Sequence, residues 1–375
     1  MRYRKFGKAG FEASILGFGC MRLPVIGGDP GRIDEPLATR MLHSAIDAGV
    51  NYVDTAYGYH KGESERFVGR ALKGEWRRKV HLATKMPMWK IESAADFDLI
   101  LNEQLEKLQT DRIDCYLLHG LKAERWEKGQ RLGILDWAER AIASGRIGCL
   151  GFSFHDEYKT FPRIIDGWDK WTFCQIQYNY MDEEHQAGTK GLEYAHAKGL
   201  AVVVMEPLLG GNLTSPPDAV ASLWATAGRK MSPVEWALSW VWSKPEVSVV
   251  LSGMSAMEHV EENLRLADSS KRLTAGELEL VGRVRDKYRE IRPVPCTQCE
   301  YCMPCPNGVA IPKVFRIYND GVVYNNPTRA KKQIAQMEAG SRASACIECR
   351  ECEPKCPQSI EISSWMPRIA EEIKV

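Results

Sequence analysis

Four polar side chains stand where apolar strands end: Asp54 after Tyr52-Val53, Lys85 after residues 80–84, His119 after residues 113–118, and Ser153 after residues 147–152. In a parallel α/β protein the carboxyl ends of strands face the ligand, so such positions read as chemistry rather than packing. Tyr57 and Tyr59 follow Asp54 closely. An acid of this kind suits the reduction of a carbonyl, which needs a hydride donor beside the carbon and a proton donor near the oxygen. A phenol with a reference pKa of about 10 donates poorly at neutral pH, and a neighbouring ammonium such as Lys85 lowers it. Asp54 would keep the lysine charged and oriented, and a neutral imidazole at His119 would hydrogen-bond the same oxygen. Each residue alone also suits a helix cap or a solvated position. Spacing does not choose between Tyr57 and Tyr59, while His60 and His155 read as loop residues.

The elements that must position these groups repeat. Strand patterns begin near residues 15, 51, 80, 113, 147, 173, 201 and 247, with helical periodicity after most of them. Asp34 and Pro36 signal a helix start before Leu37, Met41, Ala45 and Ala48, and Gly49, Gly145 and Gly199 supply helix ends before the next strand. Eight such units predict a closed (β/α)8 TIM barrel. A doubly wound open sheet would carry phosphate-binding glycines at its first turn. Here Gly17-Phe18-Gly19 is followed by Arg22 where the third glycine would fall, and Pro24 and Gly27-Gly28 open no helix. Residues 1–15, with turn residues Gly7 and Gly10, predict a hairpin that lids one barrel end. A charged helix over 275–289 ends the barrel, and Pro293 and Pro295 mark a boundary between domains 1–292 and 293–375.

The second domain is defined by its cysteines. Cys296, Cys299, Cys302 and Cys305-Pro306 form one run, and Cys346, Cys349, Cys352 and Cys356-Pro357 the other. Three cysteines at two-residue gaps, then Cys-Pro, is how a chain wraps a cubane cluster. Zinc is the competing metal, but it needs four ligands from two separated knuckles and would leave the other cysteines idle. Helical patterns around Val314, Ile317, Tyr318, Ile334 and Met337 predict a small, mainly helical iron–sulfur domain. Cys20, Cys115, Cys149 and Cys174 read as buried thiols. The basic run 329–332 reads as a solvated helix face.

The 375 residues carry a formal net charge of +1, which gives no field for steering polyanions and argues against a nucleic-acid partner. No run has the length of a membrane span, and the start has no apolar region of the signal-peptide kind. These features, with cysteines at metal-ligand spacing, set the expectation of a cytoplasmic protein.

The motif Asp54-Thr55-Ala56-x-x-Tyr59-x-x-Gly62-Glu63-Ser64-Glu65, Lys85 closing the third strand and Leu117-Leu118-His119 closing the fourth resemble the aldo-keto reductase superfamily across roughly residues 1–270. The resemblance implies the catalytic set Asp54, Tyr59, Lys85 and His119, with Tyr59 chosen over Tyr57. It also implies NAD(P)H bound without a Rossmann fold, by Gly19, Cys20, Met21, Asp54, Ser153, Gln175, Met205, Pro207, Leu208, Gly210, Gly253, His259, Glu262 and Asn263. Phe154 departs from the family's asparagine and Met205 from its stacking aromatic. Gly253 and His259 replace the lysine and arginine that would hold a 2′-phosphate, which leaves NADH and NADPH both open. The cysteine region resembles two-cluster [4Fe-4S] ferredoxins. That likeness implies one cluster on Cys296, Cys299, Cys302 and Cys356, and the other on Cys346, Cys349, Cys352 and Cys305. The run from Cys302 to Cys305 is one residue shorter than that pattern.

The sequence therefore predicts an NAD(P)H-dependent oxidoreductase acting on a small carbonyl or alcohol, with two clusters for structure, sensing or electron exchange with a partner redox protein. The alternative is an iron–sulfur electron-transfer protein that uses the barrel as a binding platform. Met88, Trp89 and Trp126 are candidates for the substrate pocket and equally for packing.

Overall fold

Each predicted strand becomes a stave of one barrel. A computed structural model of the chain describes residues 1–269 and 271–374. A hairpin of β1 (Tyr3–Lys5) and β2 (Glu12–Ser14) precedes eight strands: β3 (Leu16–Gly19), β4 (Tyr52–Asp54), β5 (His81–Met86), β6 (Ile113–Leu121), β7 (Ile147–Phe154), β8 (Phe173–Gln177), β9 (Ala201–Met205) and β10 (Val247–Gly253). They pair in parallel and close in the order β10-β3-β4-β5-β6-β7-β8-β9. The first barrel helix, Glu35–Asp47, starts as its sequence signals: the Asp34 side chain accepts from Leu37 N–H, and Pro36 sits in the first turn, where its missing N–H costs nothing. It ends at Gly49, whose φ of +96° turns the chain into β4.

Strand alternation then decides where the chemistry lies. Tyr52, Ala83, Cys115, Leu117, Cys149, Phe173, Ala201, Val203, Val249 and Leu251 form one apolar cluster inside the barrel with Phe6 of the hairpin. Phe6 plugs the floor, and the turn after it is pressed onto the strand starts, since a Cβ on Gly7 would lie 2.5 Å from Thr172 O and 2.6 Å from Ala201 N. The lid role expected for residues 1–15 is met. Side chains two residues further along a strand share the same face. That step leads from Tyr52, Ala83, Leu117, Phe173, Val203 and Leu251 to Asp54, Lys85, His119, Gln175, Met205 and Gly253. The candidate site is thus the next layer of the barrel interior, at the carboxyl rim.

The chain divides into two compact units, Met1–Leu209 with Glu235–Leu273, and Gly210–Val234 with Thr274–Val375. The helix Ala275–Glu290 falls in the second unit together with the helix Asp218–Trp224, where Arg229 pairs with Glu277 at 2.7 Å. The change of composition at Pro293 therefore falls inside the second unit, whose last segment begins at Thr274. Within the second unit the helices Ile311–Val323, Pro327–Ala335 and Ile362–Glu372 bury a small core built on Val314, Phe315, Ile317, Ile334 and Met366. Arg329 is not a free surface cation, since its guanidinium donates to Asn212 Oδ1 at 2.8 Å. Among the described residues no helix is long and apolar enough to cross a membrane.

Candidate functional site

Lys85 is almost wholly buried, and an ammonium in such a place must find oxygens for its three donors. It donates to Asp54 Oδ1 at 2.7 Å, to Thr55 O at 2.7 Å and to Tyr59 Oη at 3.5 Å. The His119 ring meets the Tyr59 ring edge to face at 6.3 Å between centroids, and Trp89 lies 5.0 Å from His119. Aspartate, lysine, tyrosine and histidine therefore meet at one place. Tyr57 points elsewhere, donating to the Glu103 carboxylate at 3.0 and 3.2 Å and accepting from Lys90 at 3.3 Å. Of the two phenols, Tyr59 is the one that stands beside Lys85. His119 sits where the β6–β7 register shifts between Leu118 and Leu121, an irregularity of the kind that re-aims side chains beside sites.

The loop around Tyr59 is held from two sides. Thr55 and Ser64 hydroxyls bond at 2.8 Å, and Ser64 also donates to Cys20 O at 3.1 Å. His60 is no loose loop residue as its sequence context suggested. It is buried, its Nε2 accepts from Leu23 N–H at 3.2 Å, and Nδ1, left with the proton, faces Pro30 O at 2.8 Å. Met88 and Trp126 are buried in packing, with Trp126 against Trp171, so of the three pocket candidates Trp89 alone is exposed beside His119.

The electrostatics follow from burial and the ion pair. Burial opposes the Lys85 charge, but Asp54 and Tyr59 outweigh it and hold its pKa above the ordinary value. Burial pushes the Asp54 carboxyl up against the pull of Lys85. For Tyr59 the expectation of a lowered pKa is corrected in sign: burial raises it, Lys85 pulls it down, and burial prevails. The ammonium moderates the phenol and does not ionise it, so the phenol keeps its proton at neutral pH. His119 is driven well below 6.5 by burial, then by Lys85, His155 and Arg125, which makes its imidazole neutral as expected.

The rim also suits a nicotinamide dinucleotide. Gln175 Nε2 donates to Met205 Sδ at 3.7 Å, while its Oε1 is buried with no partner among the described residues, an acceptor open to a carboxamide N–H. Ser153 Oγ accepts from Gly120 N–H at 2.7 Å, which leaves its own O–H to donate. Phe154 faces the opposite way, packed edge to face on Phe161 at 4.8 Å. Asn263 Nδ2 donates to Ser252 Oγ at 2.9 Å, and His259 Nδ1 accepts from Ser255 N–H at 3.3 Å. Met21 and His259 are exposed, Cys20 and Pro207 are buried, Leu208 and Glu262 are half-buried, and Gly210 belongs to the second compact unit. One contact escaped the sequence reading. A Cβ on Gly253 would lie 3.1–3.2 Å from Cβ, Cγ and Cδ of Arg22, so the bare glycine admits the stem of an exposed arginine from the loop after β3. Among the described residues this guanidinium has no acidic partner.

In the second unit Cys296, Cys299, Cys302 and Cys356 line one open pocket, with Ile311, Phe315, Ile360 and Ile362 as its apolar wall. Of the other four, Cys352 lies near enough to Cys305 and Cys349 to feel their charge, though burial is the larger cause that pushes its thiol up. Among the described residues no three His, Cys, Asp or Glu side chains converge on a single point suited to one ion. Sulfurs arrayed around a space suit a multi-iron cluster, whose corners each take one thiolate. The two loops are shaped alike. Gln298 and Glu348 N–H donate to Cys296 and Cys346 Sγ, both at 3.4 Å, and Gln298, Glu300, Glu348 and Arg350 all take left-handed backbone conformations. Such strain in non-glycine residues persists where a site demands it.

The fold is a closed (β/α)8 barrel followed by a cysteine-rich unit. The aldo/keto reductase family model matches residues 15–285, and a 4Fe-4S dicluster domain matches residues 295–361. The chain belongs to the aldo/keto reductase family. It is 27% identical over 317 residues to an uncharacterised oxidoreductase of Bacillus subtilis (strain 168), covering 74% of this chain and 95% of that protein. It is 26% identical over 313 residues to an L-galactose dehydrogenase of Arabidopsis thaliana, covering 78% of this chain and 93% of that protein. An aldo-keto reductase from Bacillus halodurans, solved in its holo form, superposes with a TM-score of 0.64 at 27% identity, over 76% of this chain and 96% of that one.

Proposed function

We propose that the barrel rim reduces a small aldehyde or ketone, or oxidises the corresponding alcohol, with NAD(P)H as the hydride donor, and that the cysteine cavities each hold a [4Fe-4S] cluster. The observation that carries the reading is the buried Lys85 ammonium shared among Asp54, Thr55 and Tyr59. Bound NAD(P)H supplies a hydride to the carbonyl carbon. The chain does the rest. Tyr59 gives its phenolic proton to the carbonyl oxygen, Lys85 stabilises the phenolate left behind, Asp54 holds Lys85, and neutral His119 hydrogen-bonds the substrate oxygen. Solvent then returns the proton to Tyr59.

Gln175 and Ser153 would take the carboxamide, and Met205 would lie against the ring. Position 253 lacks a side chain, and Arg22 lies across it, so a cation is offered to the phosphates by another element. This favours NADPH. The alternative, an electron carrier with the barrel as platform, leaves the Asp54–Lys85–Tyr59 arrangement without a use. Exposed Cys299 and Cys349 would mark where a redox partner approaches the clusters. Titration of anaerobically purified protein with NADH and NADPH, followed by absorbance, tests both halves. The reading expects saturable binding of NADPH and an iron–sulfur spectrum. It fails if neither dinucleotide binds.

A further inference from the structure

Behind Lys85 lies a second buried polar set that the proton-transfer scheme does not use. Glu65, fully buried on the helix Glu63–Ala71, accepts through Oε1 from Thr84 Oγ1 at 2.6 Å and from Gln104 Nε2 at 2.5 Å. Gln104 Nε2 also reaches Lys85 O at 3.1 Å, and its Oε1 accepts from Tyr116 Oη at 2.5 Å. Lys107 Nζ stands 3.9 Å from Glu65 Oε2 and 2.6 Å from Glu103. Apolar residues of similar volume would fill such a place at equal or lower free energy, so a buried charged network calls for a reason beyond stability.

Its placement supplies one. Glu65 lies six residues after Tyr59 and in the first turn of the helix that the Tyr59 loop enters, while Thr84 directly precedes Lys85. The contact between Lys85 Nζ and Tyr59 Oη is 3.5 Å, too long to fix their separation itself. The helix carrying Glu65 is also seated without slack, because a Cβ on Gly69 would lie 2.5 Å from Lys107 O. We propose that the Glu65–Thr84 hydrogen bond, locked by Gln104, sets the distance between the Tyr59 phenol and the Lys85 ammonium, which makes Glu65, Thr84 and Gln104 positioning residues for the proton donor. This rests on the reading of Tyr59 as the acid.

The test replaces Thr84 by valine, which keeps the shape and removes the hydroxyl, and by serine, which keeps the hydroxyl. The groups facing Tyr59 and Lys85, namely Asp54, Cys20 and His119, and those facing Glu65, namely Lys107 and Glu103, stay in place. The pKa of Tyr59 is read without turnover, by NMR of isotope-labelled tyrosine, with Tyr59→Phe identifying its resonance. Thr84→Val is expected to raise that pKa, because the phenol loses part of the ammonium's pull, and Thr84→Ser to restore it. With a simple aldehyde and NADPH, kcat is expected to fall about ten- to a hundredfold in Thr84→Val with KM unchanged. Gln104→Met serves as the second variant, with the same expectations, should Thr84→Val not fold. An unchanged Tyr59 pKa in the folded variant, or a serine variant no better than valine, overturns the positioning role. Full activity in Tyr59→Phe overturns the reading beneath it instead.

Discussion

Replacing Lys85 by methionine separates the two things this residue does. Its side chain and that of Asp54 are 1% and 3% exposed, and Asp54 Oδ2 already lacks a hydrogen bond among the described residues. Methionine fills the space but leaves the carboxylate buried and alone. Removing one member of such a pair costs about 3–5 kcal/mol. At about 2–4 °C per kcal/mol for a domain of 150–250 residues, the melting temperature should fall on the order of 10 °C. The double variant Asp54→Asn/Lys85→Met, which has no uncompensated charge, should recover at least half of that loss. Carbonyl reduction should not recover with it, because the phenolate formed on proton transfer still lacks its cation. Burial lowers the Lys85 pKa but Asp54 and Tyr59 raise it further, so the folded value exceeds the unfolded one. The stabilisation is therefore complete below the unfolded pKa of about 10.4 and is lost only as the pH rises through the folded value. Circular-dichroism melts of wild type and the two variants, with parallel kcat measurements, decide the matter. A Lys85→Met melt equal to wild type, or activity regained in the double variant, would refute the reasoning.

Tyr59→Phe should abolish NADPH-dependent carbonyl reduction, while Tyr57→Phe, which loses only the Glu103 and Lys90 contacts, should retain most of it in the same absorbance assay. In wild type the reduction rate should stay flat across neutral pH and fall only on the alkaline side, since His119 is held neutral and Tyr59 protonated; an acid limb near pH 6.5 would contradict this assignment. Arg22→Ala should weaken NADPH binding about tenfold or more and NADH binding much less, read by titration of each dinucleotide. Equal loss of both would place Arg22 on the shared phosphates. Cys356→Ser should deplete the cluster that includes Cys296, and Cys305→Ser the cluster that includes Cys352, each halving the iron content while the other cluster's electron paramagnetic resonance signal persists.

The barrel was legible because its apolar strand runs recur at regular intervals, with helices closing on Gly49, Gly145 and Gly199 before β4, β7 and β9. The rim site was legible for the same reason, since strand alternation alone carries Tyr52 to Asp54 and Ala83 to Lys85. What the sequence could not display were contacts between distant segments. Tyr57 and Tyr59 differ by one turn of loop, and only Glu103, 46 residues away from Tyr57, decides which one faces Lys85. Arg22 and Gly253 meet because β3 and β10 are barrel neighbours, a closure that no local pattern records. The net direction of the Tyr59 pKa was misjudged because burial is a property of the whole fold, whereas a nearby lysine can be read from a motif. The same limit hid Glu65, which in sequence is one more acidic residue at a helix start.

In the proposed reaction hydride passes directly to substrate at the Tyr59 rim rather than through the clusters. A single turnover with NADPH carrying deuterium at both nicotinamide C4 positions and a simple aldehyde, in ordinary water without oxygen, tests it. The account predicts an alcohol bearing one deuterium on the former carbonyl carbon, with the yield lost in Tyr59→Phe. An unlabelled alcohol formed at the same rate, its carbon-bound hydrogen drawn from water, would show that electrons travelled singly and would contradict the account.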